Sequence, residues 1–573
     1  MWLFCMMLVA SVVEIVSIGA IPAYISIISD GKNVAIPAIL RNLIGSLSTR
    51  ELFIWASAIL VGIYIVKNVF STIMLYVKAN LTTNIQIRMS YSLMYKYYSA
   101  PYTFHLGRNS IDLFSKIYDE TRIIISSVLL PILNALMDAL FTISIVIFLL
   151  VYDPFTSLII FLCLGITGYL FLRFTKTKTV RLGKDLPVMR MMLNKSITEG
   201  INGLKDSRIL NREIMFLLRS YKLIKKTYHS TKYVQFIGSL TRPFIETIAI
   251  FAMVLICVVQ VLQGNEIQTI LPTLTLFAIA SIRLLPTVNL LIAGYVGIRN
   301  TLYTIDPVYQ DFMQLNKTGI QIADDEQSAI PLRFENEISI DGLSYTYPSA
   351  DKKSLDNIHL TIKKGEAIGF IGSSGAGKTT LVDIILGLLE AQSGSIKIDG
   401  VDIKDHIRSW QKNIGYIPQT IYLADSSIKN NIAFGINPDE IDDKKLWDAI
   451  EAAQLESLIK ELPEGVNTEI GERGVRLSGG QRQRIGIARA LYHNPQVLIM
   501  DEATSALDNV TEKYVVEAID KLKGNRTIIT IAHRLTTVKN CDCLYMMKHG
   551  KIIAKGSYNE LLKHSDEFRE MAI

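Results

Sequence analysis

The sequence predicts a six-span α-helical membrane domain followed by an α/β domain, and three observations carry that prediction. Apolar runs long enough to cross a bilayer all precede residue 300. From about Arg333 the pattern changes to short β-like runs alternating with helices. Within that second half, a glycine-rich octapeptide, Gly372-Ser373-Ser374-Gly375-Ala376-Gly377-Lys378-Thr379, sits between a strand-like run and a helical one. The average over 573 residues, 50% hydrophobic and 20% charged, blends these two halves. A soluble domain carries about 25% charged residues. Disorder and collagen are excluded by the apolar content and by Gly and Pro without a repeat. Five cysteines are too few for a disulfide framework in this length. Cys5, Cys163 and Cys257 lie in apolar runs as small hydrophobes, and Cys541 and Cys543 flank Asp542 without the further ligands a metal needs. A net charge of +6 is too small for this length to argue for or against nucleic acid, and no nucleic-acid partner is expected.

A bilayer core of about 30 Å requires about 20 helical residues. The runs that meet this are Met1–Ile28, Leu52–Val77, Ile123–Val151, Phe155–Phe174, Phe244–Leu262 and Ile267–Ile292. The first is no signal peptide: no Lys or Arg precedes it, it contains Glu14, and it is too long for an h-region. Orientation follows from the loops. Arg173, Lys176, Lys178, Arg181, Lys184 and Arg190 crowd one of them, whereas Tyr152–Pro154 and Gln263–Glu266 hold no Lys or Arg. Positive loops stay inside, so segments 78–122 and 173–232 are expected in the cytoplasm, with both termini. Helical apolar spacing continues into these segments, so the helices should outrun the bilayer. Charges inside the spans are costly: Glu14, Lys67, Arg242, Glu246 and Arg283. Arg242 and Glu246, four apart on one face, are able to pair with each other, and Lys67 to pair or snorkel; alternatively Arg242 and Arg283 face a cavity and meet an anionic ligand. Pro286 is expected to bend the sixth span. The predicted domains are 1–312 (membrane), 313–332 (linker, with Asp324, Asp325 and Glu326) and 333–573 (α/β).

The octapeptide follows the strand-like Ala367–Ile371 and precedes the helical Leu381–Leu389. Its glycines let backbone N–H groups wrap phosphates at a helix N-terminus, with Lys378 reaching the β- and γ-phosphates and Thr379 on Mg²⁺. This is a P-loop. Val497–Met500 reads as a buried strand ending in Asp501, the carboxylate that the Mg²⁺ site needs on its other side. Glu502, one residue on, is placed to polarise a water.

Between the P-loop and Asp501 lies Leu477-Ser478-Gly479-Gly480-Gln481, opening a helix at Arg482–Leu491. Here the chain resembles the ABC transporter family, exporter type, with fused membrane and ATPase domains. Tyr347, the phosphate loop, Gln419, Leu477–Gln481, Asp501-Glu502, Ser505-Ala506-Leu507-Asp508 and His533 stand in family order, and the resemblance covers the whole chain. It implies ATP and Mg²⁺ as cofactors, Tyr347 stacked on adenine, Gly372, Ser373, Ser374, Gly375, Ala376, Gly377, Lys378, Thr379 and Thr380 around the phosphates, and Thr379, Gln419 and Asp501 at the metal. It implies Glu502 as general base, His533 on the γ-phosphate, and a partner-touching segment at Gly471-Glu472-Arg473-Gly474.

By the same resemblance, Leu477, Ser478, Gly479, Gly480 and Gln481 cap the ATP held by another subunit. One P-loop and one signature per chain therefore imply two chains, and since no motif is degenerate, a homodimer. Coupling to the membrane domain is expected near Ala100–Ile111 and Gly200–Glu213, through alternating access. The resemblance also leads one to expect a short amphipathic helix before the first span, whereas the given sequence opens directly on an apolar run. Segment Pro272–Asp311 and the surroundings of Glu14 and Arg242–Glu246 resemble bacterial flippases of lipid-linked oligosaccharides, whose basic cavity residues meet a polyprenyl pyrophosphate; Arg242 and Arg283 match in type and place. The expectation is an ATP-driven flippase of such an amphipathic lipid in the bacterial inner (plasma) membrane, with a cytoplasmic ATPase domain. The alternatives are a multidrug or lipid A-type exporter, then a peptide exporter or a regulatory ATPase that does not transport.

Overall fold

The computed structural model describes residues 2–30, 49–154, 188–262, 267–318, 330–348, 350–471, 474–502, 519–532 and 534–572, with scattered positions between 155 and 186 and at 517. By its contacts the chain divides into two compact units. One comprises Met1–Ala100 with Arg108–Ile320, the other Pro101–Gly107 with Gln321–Ile573.

The first unit is helical. Helix α1 is Trp2–Asp30 and α2 is Thr49–Tyr98; the five-residue α3, Tyr102–Leu106, belongs to the segment grouped with the second unit. A helical run, α4, is assembled from Ser110–Ser115, a π-turn at Lys116–Glu120, Thr121–Ile124, a second π-turn at Ile125–Leu129, and Leu130–Tyr152. After the short α5, Leu204–Ile209, come two long helices, α6 (Glu213–Leu262) and α7 (Ile267–Thr318). Five of the six expected spans lie on these helices, and the fourth, Phe155–Phe174, lies almost wholly outside the described residues. Helices α2, α6 and α7 hold 50, 50 and 52 residues, more than twice what a bilayer core requires. Among the described residues, Trp2–Ile25, Phe53–Tyr98 and Ser110–Val151 are long and apolar enough to cross a membrane. Helix α7 runs unbroken through position 286 and on to Thr318, inside the stretch expected as linker. Val308, Asp311 and Leu315, buried at helical spacing, explain why the helix persists there.

Apolar side chains on α2 such as Trp55, Ile59, Val66 and Val69 point outward, an arrangement stable against lipid and unstable against water. The helices meet through Ile18 of α1, Ile145 and Leu149 of α4, and Leu276, Phe277 and Ala280 of α7. A polar seam crosses this apolar unit. Lys67 Nζ donates to Glu14 Oε1 at 2.9 Å, with both side chains at most 10% exposed. The two costly charges thus pair with each other and join α1 to α2. Eleven residues on, three helical turns along the same face of α2, Lys78 Nζ donates to Asn134 Oδ1 of α4 at 2.6 Å, one turn before the buried Asp138.

The second unit is α/β. A four-stranded antiparallel sheet has the order β2-β1-β4-β5, from Leu355–Lys363, Glu337–Tyr345, Ser393–Ile398 and Val401–Asp402. A six-stranded sheet has the order β10-β9-β3-β8-β7-β6, from Lys551–Gly556, Cys543–Lys548, Ala367–Ile371, Thr527–Ile531, Val497–Asp501 and Ile414–Ile417. Its β9 to β6 strands are parallel, and β10 is an antiparallel edge. Strands β3, β7 and β8 are buried at every position, which is why they read as unbroken apolar runs rather than alternations. Asp399, in the turn after β4, accepts the backbone N–H groups of Glu335, Asn336 and Glu337 at 2.6 to 2.9 Å and so anchors the entry to β1.

Removing one member of a buried ion pair leaves the other charge stranded, at about 3–5 kcal/mol. Glu14→Leu alone is therefore expected to lower the thermal unfolding midpoint of the detergent-solubilised protein clearly, and Glu14→Leu with Lys67→Met to recover most of the loss. At Asp399, burial tends to raise the pKa, but the three N–H donors outweigh it and hold the carboxyl below its usual range. Its stabilisation is then complete above about pH 4, the unfolded value, and is lost as pH falls through the lower folded value. Asp399→Asn should destabilise at pH 7 and progressively less in denaturant titrations at pH 3 and below.

Candidate functional site

Strand β3 ends at Ile371 and the chain turns through Gly372–Gly377 into helix α8, Lys378–Ile385. The turn needs left-handed backbone at Gly375 (φ 79°) and Gly377 (φ 101°), and a Cβ on Gly377 would stand 2.5 Å from the carbonyl oxygen of Ser354. Glycine there is a steric requirement, and it leaves N–H groups free to face an anion at a helix start. Lys378 is 5% exposed, and its Nζ donates to the carbonyls of Gly372 and Ser373 at 2.7 and 3.0 Å, closing the loop. Burial lowers its pKa, opposed by the negative charges of Glu502 and Asp501. Thr379 is exposed and Thr380 buried, the latter 3.3 Å from the hydroxyl of Tyr347. Tyr347 stands edge-on to Tyr345, centroids 5.0 Å apart, so the expected adenine platform stands beside the start of α8.

The neighbouring parallel strands bring the other groups to the same sheet edge. Asp501 closes β7 and is 6% exposed. Glu502 follows in a left-handed conformation, φ 47°, its N–H donating to Ile531 of β8. A non-glycine residue held there costs free energy, which the surroundings offset at sites that use the side chain's aim. Gln419, two residues past β6, donates from Nε2 to Glu502 Oε2 at 2.7 Å. Gln419, Lys378 and the adjacent Asp501 and Glu502 are thus gathered from three segments of the chain. The signature segment forms the start of a helix, α11 (Gly479–Leu491), and the helices between it and α8 include α9, Ile428–Ile432, and α10, Asp443–Ala452. Ser478 accepts from the N–H of Gln481 while Gln481 Oε1 accepts from the N–H of Ser478, a capping box that sets this helix start rigidly.

His533, Glu472, Arg473 and Ser505-Ala506-Leu507-Asp508 lie outside the described residues, as do the side chains of Arg242 and Arg283 within α6 and α7. Two residues of the site had no sequence signal. Asp383 of α8 is half-buried beside the charge of Asp501, and burial first, then the Asp501 charge, push it up to about 6. Arg489 of α11 donates to Tyr422 O, Asn431 O and Asn431 Oδ1 at 2.7 to 3.1 Å and lies over the Phe434 ring. It fastens the signature helix to the segment that follows Gln419, which one dimension of sequence does not show. The donor set of Thr379 hydroxyl, Gln419 amide oxygen and Asp501 carboxylate is oxygen-only and small, and buried negative charge accumulates around Asp501. That chemistry fits Mg²⁺, which keeps most of its shell for water and phosphate.

Comparison with known proteins agrees with this geometry. Residues 4–283 match the description "ABC transporter transmembrane region" and residues 355–505 match "ABC transporter". The chain belongs to the ABC transporter family. Over 510 residues, 88% of this transporter and 85% of the relative, it is 27% identical to an ATP-dependent lipid A-core flippase of Cupriavidus pinatubonensis. Over 233 residues, 40% of each chain, it is 44% identical to the protein of that name from Methylobacillus flagellatus. Its fold matches a bacterial Atm1-family ABC exporter solved with ATP bound, at TM-score 0.74 and 22% identity, across 100% of this chain and 96% of that one. The transporter is thus an integral membrane protein of the exporter type, with its nucleotide-binding ATPase fused to the membrane domain and ATP hydrolysis coupled to transport.

Gly377→Ala is expected to weaken ATP binding at least about tenfold, because the side chain forces the loop out of a conformation that costs about 1–3 kcal/mol for other residues. Titration with a fluorescent ATP analogue measures it, and Gly435→Ala, also left-handed but with open space at its Cβ, serves as the strain control.

Proposed function

We propose that this transporter is a homodimer that flips a phosphorylated, glycosylated lipid across the bacterial inner membrane, its ATPase domain in the cytoplasm. The observation that carries the cargo class is the match, over most of both chains, to proteins named lipid A-core flippases. Within that class the primary reading is a polyprenyl-pyrophosphate oligosaccharide. Arg242 and Arg283, two cations inside apolar spans, suit a pyrophosphate better than a neutral drug. Lipid A-core is the second reading, favoured by the relatives' names; it shares the phosphate–sugar–acyl chemistry.

In the ATP site, Lys378 and the loop N–H groups of Gly372–Thr380 hold the phosphates and Tyr347 the adenine. Mg²⁺, held by Thr379, Gln419 and Asp501, would neutralise charge on the β- and γ-phosphates. Glu502 takes a proton from the water that attacks the γ-phosphorus, and ADP leaves as the bridging bond breaks. Gln419, bonded to Glu502 Oε2, holds the base in line and reports on its state, and His533 contacts the γ-phosphate. The partner's copy of the capped helix start at Leu477–Gln481 completes the site, since an N-terminal helix end favours anionic phosphate.

The need for a second copy is supported by the tip at 201–218. There Ile201, Ile209, Leu210, Ile214 and Leu217 are each more than 60% exposed in a segment expected to couple to an ATPase domain. ATP binding between two such domains closes them, the tips follow, and the lipid cavity changes its access; hydrolysis resets it.

Glu502→Gln is expected to bind ATP normally and to lower turnover at least about a hundredfold, the scale of a lost general base; normal hydrolysis would refute the assignment. For the cargo, purified protein in proteoliposomes is offered a fluorescent polyprenyl-pyrophosphate glycan or a lipid A-core, with Arg242→Ala and Arg283→Ala beside wild type. The primary reading expects ATP-dependent flipping of the first and its loss in both variants. Flipping of lipid A-core alone selects the second reading, and unimpaired variants remove the arginines from the headgroup site.

A further inference from the structure

The ATP chemistry makes no use of a charge cluster at the ends of α2, α4 and α7. Asp311 of α7 is 4% exposed. It accepts three charged or polar donors: the Tyr97 hydroxyl at 2.9 Å, Arg108 Nη1 at 2.6 Å and Lys116 Nζ at 2.9 Å. These come from the last turn of α2, from the residue after Gly107, and from the first turns of α4. One carboxylate therefore clamps both flanks of the 101–107 tip to α7, the helix that runs on to the ATPase linker. Burial works against its charge, but the three hydrogen bonds outweigh it and hold its pKa down.

Lys116 has more than one possible partner. It also meets Asp112, one turn earlier, at 3.0 Å. One turn later, Glu120 carries a buried Oε2 with no hydrogen-bond partner among the described residues. Lys116 and Glu120 are the two ends of the first π-turn. A π-turn is an uncommon register, recurrent at functional positions. Here hydroxyls satisfy its backbone: the Ile117 carbonyl accepts from Ser90 Oγ at 2.9 Å and from Thr121 Oγ1 at 2.6 Å. Closing it to α register rotates the flanking side chains by about 100° per residue.

We propose that Asp311, Lys116 and Glu120 form a two-position latch: Lys116 binds Asp311 when the ends of α2 and α4 are held to α7, and transfers to Glu120 when they are released. The released position strands no charge, and it gives the Glu120 carboxyl the partner it lacks in the held one. There Asp311 keeps Arg108 while the Tyr97 hydroxyl turns to water, and Lys116 keeps Asp112 and gains Glu120, so the two states are close enough in energy for ATP to bias. Asp311 is a positioning residue for coupling, and Glu120 is the acceptor of the alternative state. The proposal rests on the reading of the chain as an alternating-access transporter.

The test uses the full-length protein in nanodiscs, its native cysteines replaced by serine, with cysteines at Lys96 and Asn316. These two are hydrogen-bonded beside the latch but outside it. A short bis-maleimide reads the latched fraction, with and without ATP. Asp311→Asn is expected to lower the latched-to-released ratio about tenfold, the size of one charge-assisted hydrogen bond, and Asp311→Glu to restore it. Glu120→Gln is expected to raise the ratio by a similar factor and to lower transport per ATP hydrolysed. If Asp311→Asn does not fold, Glu120→Gln still decides, because Glu120 Oε2 holds no partner in the latched state. Both variants shifting the ratio in the same direction, an unmoved ratio in Glu120→Gln, or a yield insensitive to ATP in the unmodified latch overturns the proposal. Absence of ATPase or transport in wild type would instead overturn the functional reading, since cross-linking needs neither.

Discussion

A charge taken out of water must be met by another charge or by several dipoles, and this constraint organises both halves of the transporter. Desolvation costs several kcal/mol per ion even after relaxation. The membrane unit answers it with pairs that bridge helices: Glu14 with Lys67 between α1 and α2, and Asp311 with Arg108, Lys116 and Tyr97 among α2, α4 and α7. The same bonds choose which helices are neighbours. In a lipid setting apolar contact alone supplies little preference for one helix partner over another.

The ATPase unit answers the constraint with dipoles and with separation. Lys378 is held over two loop carbonyls, Asp399 over three N–H groups, and Ser478 and Gln481 over each other's backbone. Around Asp501 the balance is left negative, with Asp383 driven up towards neutral pH by burial and by its neighbour. A region poised in this way favours an incoming cation, and the phosphate loop opposite favours an incoming anion. The nucleotide and its metal are the natural complement of both.

Much of this was legible in one dimension. The strand-like Ala367–Ile371 and Val497–Met500 are β3 and β7, because fully buried parallel strands leave unbroken apolar runs. The glycines of 372–377 announced a phosphate-wrapping loop before a helix, and Gly377 carries a φ of 101° there. The latch, Arg489 and Asp383 left no such trace. Asp311 lies 195 residues from Lys116 in sequence, and a solitary Arg in an ordinary amphipathic helix looks the same whether it touches solvent or Tyr422. Glu14 and Lys67 were visible as costly, yet their partnership depends on the crossing of two helices.

The sequence by itself determined the element types, the division into a lipid-facing and an α/β half, and the identity of the nucleotide-binding loop. Each of these depends on local periodicity or local backbone freedom, which a linear pattern carries. The tertiary structure decided which charges neutralise which, how Gln419 comes to hold Glu502, and where α4 accommodates a π-turn. Those outcomes depend on distances between groups far apart in the chain. Electrostatic energy falls with distance in space, and sequence separation does not measure that.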